Sequence, residues 1–127
     1  MKHPPDERNP DSGPTVIAIG ASAGGLEPFF QLLEDFEPAD GVALVYLQHR
    51  TASPGQDRLL SLLGSRTSMA VEAVEEGRVL EGNRVYVAPA GKKVAVRNGR
   101  FRLEEPGPGG SVRHPIDALF RSLAEDR

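Results

Sequence analysis

Ser22 and His49 are the two residues whose types and surroundings could do chemistry together. Ser22 is the centre of GASAG, residues 20–24, a G-x-S-x-G pattern between an apolar segment and a helical one. In a nucleophile elbow this pattern places a serine hydroxyl on a tight turn above the edge of a sheet. A nucleophilic serine needs a general base, and His49 directly follows the next apolar segment. The pair predicts acyl chemistry in which Ser22 attacks and His49 moves the proton.

The segments before these two residues are predicted to bring them to one edge of a sheet. Thr15–Gly20 and Val42–Leu47 are short apolar runs, which indicates buried strands. If the two strands are neighbours in a parallel sheet, their chains lie ~4.8 Å apart and end on the same side. We therefore expect Ser22 and His49 to lie within reach of each other. The other two histidines, His3 in the tail and His114 in a loop, lack this placement.

The rest of the chain predicts an α/β fold. An amphipathic pattern starts near Gly24, and others cover residues 53–64 and 114–127, so three helices are expected. Residues 69–74 and 84–88 are two more strand-like runs, and Asn98-Gly99 between alternating segments indicates a type I′ hairpin. Alternating strands and helices favour a Rossmann-like, doubly wound, mostly parallel sheet with a β-hairpin. The leucines of residues 59–63 are interpreted as core.

Composition limits the class of protein. The 127 residues suit one domain at 15–127 after a flexible, proline-containing tail at 1–14. A net charge of −3 gives no reason to expect a nucleic-acid partner. No apolar run reaches the ~20 residues of a membrane span, and the N-terminus lacks the apolar segment of a signal peptide. With no cysteine there are no disulfides. A cytoplasmic protein without membrane insertion is expected.

The small-residue turn has other interpretations. A dinucleotide fingerprint would need a glycine where Ser22 stands, and a P-loop would need a Gly-Lys-Ser/Thr that does not follow. A helix N-terminus can nonetheless hold an anion, so nucleotide binding remains a weaker alternative. The glycines could also serve only close packing of the helix on the strand.

Four segments in order resemble the catalytic domain of the chemotaxis protein-glutamate methylesterase family (CheB-type). They are VIAIGASAGGLEPF, VALVYLQHR, VEAVEEGRVLEGNRVYVAPAGKKVAV and RHPIDALFRSLAEDR, and the resemblance covers residues 15–127. The last segment is similar to the form found in hybrids that join this domain to a methyltransferase domain. The resemblance implies hydrolysis of glutamate methyl esters on the cytoplasmic helices of chemoreceptors, and in some members deamidation of glutamine.

The same resemblance implies roles for individual residues. Ser22 matches the family nucleophile and His49 the general base, while the backbone N–H of Ala23, in the turn with Gly24, would line the oxyanion hole. Arg50, next to His49, is a candidate for contact with an anionic substrate surface, and simple solvation is the favoured alternative for a single arginine. Arg113 is a second candidate, because in the family its loop approaches the active-site edge. No metal and no organic cofactor is expected, and a methyltransferase domain, fused or separate, is an expected partner.

The chain also departs from the family pattern. The family's third triad residue is an aspartate in a G-x-G-x-D-G-like segment, and no such segment occurs here. Asp117 matches a helix-start position instead, where an acidic residue is favoured electrostatically. In serine proteases, loss of the triad aspartate costs about 10⁴ in rate. The expectation is a C-terminally incomplete catalytic domain whose exposed apolar sheet edge favours self-association. The alternative is a non-catalytic binding module with the same fold.

A regulatory difference follows from the N-terminus. Stand-alone members of the family carry a phosphoacceptor receiver domain before the catalytic one, whereas only the 14-residue tail precedes the first strand here. We therefore expect regulation to come from a fused or separate partner.

Overall fold

The computed structural model describes residues 14–21, 26–36, 41–48, 56–89, 92–105 and 115–126. The elements in chain order are β1 (Thr15–Ala21), α1 (Leu26–Asp35), β2 (Val42–Gln48), α2 (Gln56–Gly64), β3 (Ala70–Ala73), β4 (Arg84–Val87), β5 (Lys93–Arg97), β6 (Arg100–Glu104) and α3 (Pro115–Asp126). The predicted succession of strands, helices and a final helix is confirmed. The proposed tail lies outside the described residues except for Pro14, and so does the predicted helix start at Ser53.

Four parallel strands form the central sheet in the order β1-β2-β4-β3. β2 lies between two neighbours, and its residues 43–47 are at most 3% exposed. A strand buried on both faces explains why residues 42–47 are apolar without alternation. The first two strands are parallel neighbours, which is the condition under which Ser22 and His49 are expected to lie close together. Within the described residues β1 pairs with β2 alone, and its Ile17 is 39% exposed, in line with the expected apolar edge.

Helices cover the sheet on both faces. Successive side chains of β2 point to opposite faces, so β2 contributes to the core on each side. Leu44 and Tyr46 pack with α1 and α2, and the ring of Phe29 stacks on Tyr46 with centroids 4.1 Å apart. Ala43, Val45 and Leu47 pack with α3 and the β5–β6 hairpin on the other side. The predicted α/β, doubly wound fold with a mostly parallel arrangement and a hairpin is confirmed.

The hairpin has the turn that its sequence predicts. β5 and β6 pair antiparallel, and Asn98 and Gly99 have φ of 54° and 74°. Type I′ turns require positive φ at both central positions, which Asn and Gly tolerate best. Two backbone hydrogen bonds attach β6 to the segment that precedes β4. The Phe101 N–H donates to the Arg78 carbonyl, and the Phe101 carbonyl accepts from the Gly77 N–H.

Helix α3 is attached to the hairpin by polar bonds as well as by apolar packing. The buried Ser122 hydroxyl accepts a hydrogen bond from the Val96 N–H at 3.0 Å and donates to the Leu119 carbonyl at 2.8 Å. One helical turn later, the Asp126 carboxylate accepts hydrogen bonds from the turn N–H groups of Asn98 and Gly99. Residues four apart share one face of a helix, so these bonds hold the second half of α3 against β5.

Candidate functional site: the carboxyl ends of the first two strands

The candidate site lies where β1 and β2 end side by side. Their register runs from Thr15 opposite Val42 to Ala21 opposite Gln48, so the two strands end on paired residues. Ser22 directly follows Ala21 and His49 directly follows Gln48. The structure thus brings together the two strand ends that lead into the predicted nucleophile and base.

The predicted site residues themselves are not among those described. They are Ser22, Ala23, Gly24, His49, Arg50 and Arg113, and each belongs to a segment outside the described ranges. Their roles stay predictions. What the structure shows is the strands and helices immediately before and after them.

β2, which precedes His49 in the sequence, is held by neighbouring strands on both sides. Tyr46 pairs with Ile19 of β1 on one side and with Val87 of β4 on the other, and the Ala88 N–H donates to the Tyr46 carbonyl at 2.9 Å. Tyr46 and Leu47 are at most 3% exposed. Functional groups are held best on elements whose own packing is fixed, and the end of β2 meets this condition.

Gly20 has a packing role that the sequence did not reveal. A Cβ at this position would lie 2.5 Å from Ile116 Cγ2 and 3.0 Å from both Cγ1 and Cδ1 of the same side chain. Only a residue without a side chain lets the first turn of α3 lie so close to the end of β1. The GASAG pattern by itself indicates only a turn role for Gly20. The signal that could have suggested the contact is an apolar residue opening an amphipathic helix, together with a glycine ending a strand.

Asp117 occupies the position that its sequence context predicts. It lies in the first turn of α3 and is exposed. A carboxylate there interacts favourably with the helix dipole, which supports the structural interpretation of this residue.

A network of ion pairs lies at the opposite edge of the sheet, around β3 and the start of β4. The Glu72 carboxylate accepts hydrogen bonds from Arg78 Nε at 2.8 Å and from Arg84 Nη1 at 3.0 Å. The Arg78 hydrogen bond is the main reason why the pKa of Glu72 is lowered. Burial raises the pKa of Tyr86, whose hydroxyl oxygen accepts from the Glu81 N–H at 2.9 Å. These bonds hold the loop between β3 and β4, so we assign them to stability.

The described residues contain neither a metal-binding cluster nor a membrane-spanning helix. No group of three or more histidine, aspartate or glutamate side chains in these ranges is arranged to hold a metal ion. None of the described helices combines the length and apolar character needed to cross a membrane.

The fold and the candidate site together define a class of protein. A parallel sheet with helices on both faces defines an α/β domain, in whose sequence a G-x-S-x-G pattern begins at the end of β1 and a histidine follows β2. The sequence model of the family described as CheB methylesterase matches residues 17–127. The chain belongs to this family.

Individual relatives agree with this assignment. The chain is 34% identical over 113 residues to the protein-glutamate methylesterase/protein-glutamine glutaminase 1 of Xanthomonas campestris pv. campestris, covering 86% of the chain and 31% of that protein. It is 31% identical over 114 residues to the protein-glutamate methylesterase/protein-glutamine glutaminase of Trichodesmium erythraeum, covering 87% of the chain and 32% of that protein. The chain therefore spans about a third of the length of these relatives.

A solved structure shares the fold. The crystal structure of the Thermotoga maritima CheB methylesterase catalytic domain superposes with a TM-score of 0.73 at 24% sequence identity. The match covers 88% of this chain and 61% of that one. The predicted family resemblance and fold are both confirmed.

Proposed function

We propose that this domain is a serine hydrolase that cleaves the methyl esters of protein glutamate side chains. One observation carries the proposal: Ala21 and Gln48 are paired at the ends of neighbouring parallel strands, directly before Ser22 and His49. Membership of the CheB methylesterase family supports it, and so do the names of the relatives.

The proposed reaction is an acyl transfer in two halves. Ser22 Oγ attacks the ester carbonyl carbon while His49 takes the hydroxyl proton, and the backbone N–H of Ala23 donates to the oxyanion. His49 then returns the proton to the methoxide as the C–O bond breaks, releasing methanol and leaving an acyl-serine. Water, deprotonated by His49, attacks the acyl carbon. The acyl-serine C–O bond breaks as His49 returns the proton to Ser22 Oγ, and the released glutamic acid loses its own proton to solvent to give the carboxylate. Residues of the chain perform every step, without a metal or organic cofactor.

The proposed substrates are the methylated cytoplasmic helices of chemoreceptors. Arg50 and Arg113 would contact the acidic surface of these helices, since arginine pairs well with carboxylates. Deamidation of a glutamine side chain would follow the same route with ammonia leaving, and the relatives' names include a glutaminase. A cytoplasmic location and a methyltransferase domain as partner, fused or separate, belong to the same proposal.

A non-catalytic binding module with the same fold is the second candidate. No G-x-G-x-D-G-like segment occurs in the 127 residues, so this sequence does not supply the family's triad aspartate. By analogy with serine proteases, the histidine without its orienting carboxylate would work about 10⁴-fold more slowly. A domain of this kind would still bind receptors.

Methanol release from a methylated receptor fragment tests the proposal. The purified chain is compared with its Ser22→Ala and His49→Ala variants. Two variants of the same residue types serve as matched controls: Ser61→Ala, on the exposed face of α2, and His3→Ala. Turnover that both site variants abolish and both controls retain would support the serine hydrolase.

The opposite result is equally clear. A well-folded chain that releases no more methanol than Ser22→Ala would refute hydrolysis by these 127 residues. Saturable binding of the receptor fragment by that chain would then identify the binding module.

A further inference from the structure

We propose that Ile116 is a positioning residue for the turn that carries Ser22. This inference rests on the proposed function and deepens it, because it names a residue that packs on the end of β1, directly before Ser22 in the sequence. Ile116 would act through the backbone of Gly20, without touching the substrate. Helix α3 would therefore be part of the device that aligns Ser22 with His49.

Ile116 occupies the space that a side chain at position 20 would need. Three side-chain atoms of Ile116 lie 2.5–3.0 Å from the place where a Cβ of residue 20 would stand. The isoleucine thus packs on the main chain of β1, two residues before Ser22. A side chain packed on another side chain can be accommodated by a change of rotamer. When a side chain packs directly on a backbone, moving the side chain moves the backbone.

Ile116 has little freedom to retreat from this contact. Its β-branched side chain has a restricted χ1 in a helix. The helix behind it is held by the fully buried Leu119 and by the Ser122 and Asp126 hydrogen bonds to β5 and the hairpin turn. The hairpin therefore holds α3 in place, and the first turn of α3 packs against the end of β1.

Catalysis would be sensitive to this support. Nucleophile and base must approach within about 2.6–3.2 Å, and a misplacement of about 1 Å can cost about 10² in rate. Truncating Ile116 to alanine removes all three close atoms and leaves the end of β1 without its packing partner. We expect the turn after β1 to lose its alignment while the central sheet stays folded.

A cysteine placed at position 22 gives a readout that does not depend on turnover. The chain has no cysteine, so Ser22→Cys introduces a unique thiol. A nearby imidazolium lowers a thiol pKa from its usual value of about 8.5 and shifts the pH profile of alkylation. The measurement is the rate of reaction with iodoacetamide from pH 5 to 10, in the Ser22→Cys chain and in the same chain carrying His49→Ala.

The variants are then made in the Ser22→Cys chain. Ile116→Ala is expected to lower the alkylation rate at pH 7 at least fivefold and to move the profile toward that of His49→Ala. Ile116→Val keeps Cγ2, the closest atom, and should stay within twofold of the parent. Leu123→Ala is the matched control, since Leu123 is also a partly buried apolar residue of α3. It should leave the profile unchanged.

The outcomes separate the two proposals. An unchanged profile in Ile116→Ala, or an equal shift in Leu123→Ala, overturns the positioning role. If His49→Ala leaves the alkylation profile of the Ser22→Cys thiol unchanged, the serine–histidine pair fails instead. Should Ile116→Ala not fold, Gly20→Ala disturbs the same contact from the opposite side, and an unshifted profile there also overturns the proposal.

Discussion

The contact between Gly20 and Ile116 predicts a large non-additivity in stability. Gly20→Ala places a Cβ 2.5 Å from Ile116 Cγ2, which is closer than two carbon atoms can approach without a shift. Ile116→Ala removes every atom that this Cβ would meet within 3.0 Å. The second substitution should therefore relieve the strain created by the first, and the two effects on the free energy of unfolding should not add.

The magnitudes follow from opposing effects. Gly20 lies in a strand with ordinary backbone geometry, so alanine there gains about 0.4–1 kcal/mol by restricting the unfolded chain. Overpacking against the helix costs about 1–3 kcal/mol, and this cost outweighs the gain. The single Gly20→Ala variant should lose about 0.5–2 kcal/mol. In the Ile116→Ala background only the gain remains, so the coupling energy should be about 1–3 kcal/mol.

Urea unfolding of the four chains measures this coupling. The parent, both single variants and the double variant are compared by circular dichroism at one pH. The same cycle between Gly20→Ala and Leu123→Ala serves as the control, with an expected coupling near zero. A Gly20→Ala variant as stable as the parent, or single effects that simply add, would refute the close contact.

Three other predictions concern the bonds that hold α3 and the loop before β4. Ser122→Ala leaves the Val96 N–H buried without its acceptor and should lower the free energy of unfolding by about 1–3 kcal/mol, measured in urea. Asp126→Ala removes the acceptor of the hairpin turn and should cost about 1 kcal/mol in the same assay, with exposed Glu125→Ala as control. The pKa of Glu72 is lowered in the fold, chiefly by its hydrogen bond from Arg78, so its contribution is present above the ordinary value of 4.5 and is lost as the pH falls through the folded pKa. The stability difference between the parent and Glu72→Gln should accordingly shrink from pH 7 to pH 3. A difference that stays constant would contradict this.

Local patterns were sufficient to predict most of the architecture. The uninterrupted apolar run of residues 42–47 predicted a strand buried on both faces, and β2 is central and covered on both sides. Asn98-Gly99 predicted the hairpin, because few other residue pairs adopt two successive positive φ angles. The alternation of strands and helices predicted a parallel sheet, and β1 and β2 are parallel neighbours in it. Each of these properties depends on neighbours in sequence or on general rules of connection.

Contacts between distant segments could not be predicted in the same way. Ile116 meets Gly20 across about a hundred residues, and neither the helical period nor the strand pattern specifies that pairing. The bonds from Ser122 and Asp126 to the hairpin also depend on how α3 is placed over β5. The ends of strands were predicted less accurately. The third strand was predicted at residues 69–74 and occupies Ala70–Ala73. Met69 and Val74 are buried although they lie just outside the strand, so their apolar character made the strand look longer.

The candidate site was predicted in part. The sequence placed Ser22 and His49 after two neighbouring strands, and the paired ends of those strands are as expected. The sequence did not reveal the packing of Ile116 of α3 on Gly20 at the end of β1. The roles of the two side chains remain predictions, since the residues themselves lie outside the described ranges.

Disulfide formation between positions 22 and 49 tests the central claim most directly. Neighbouring strands lie ~4.8 Å apart, and disulfides join residues whose Cα atoms are about 4.4–6.8 Å apart. In this cysteine-free chain, Ser22→Cys/His49→Cys should form an intramolecular disulfide under mild oxidation, detected as a mass loss of two hydrogens. The control pair Ser22→Cys/Ser61→Cys should not form a disulfide, because α2 packs against β3, the strand at the opposite edge of the sheet from β1. A folded Ser22→Cys/His49→Cys chain that stays reduced, or oxidises no faster than the control, would contradict the account.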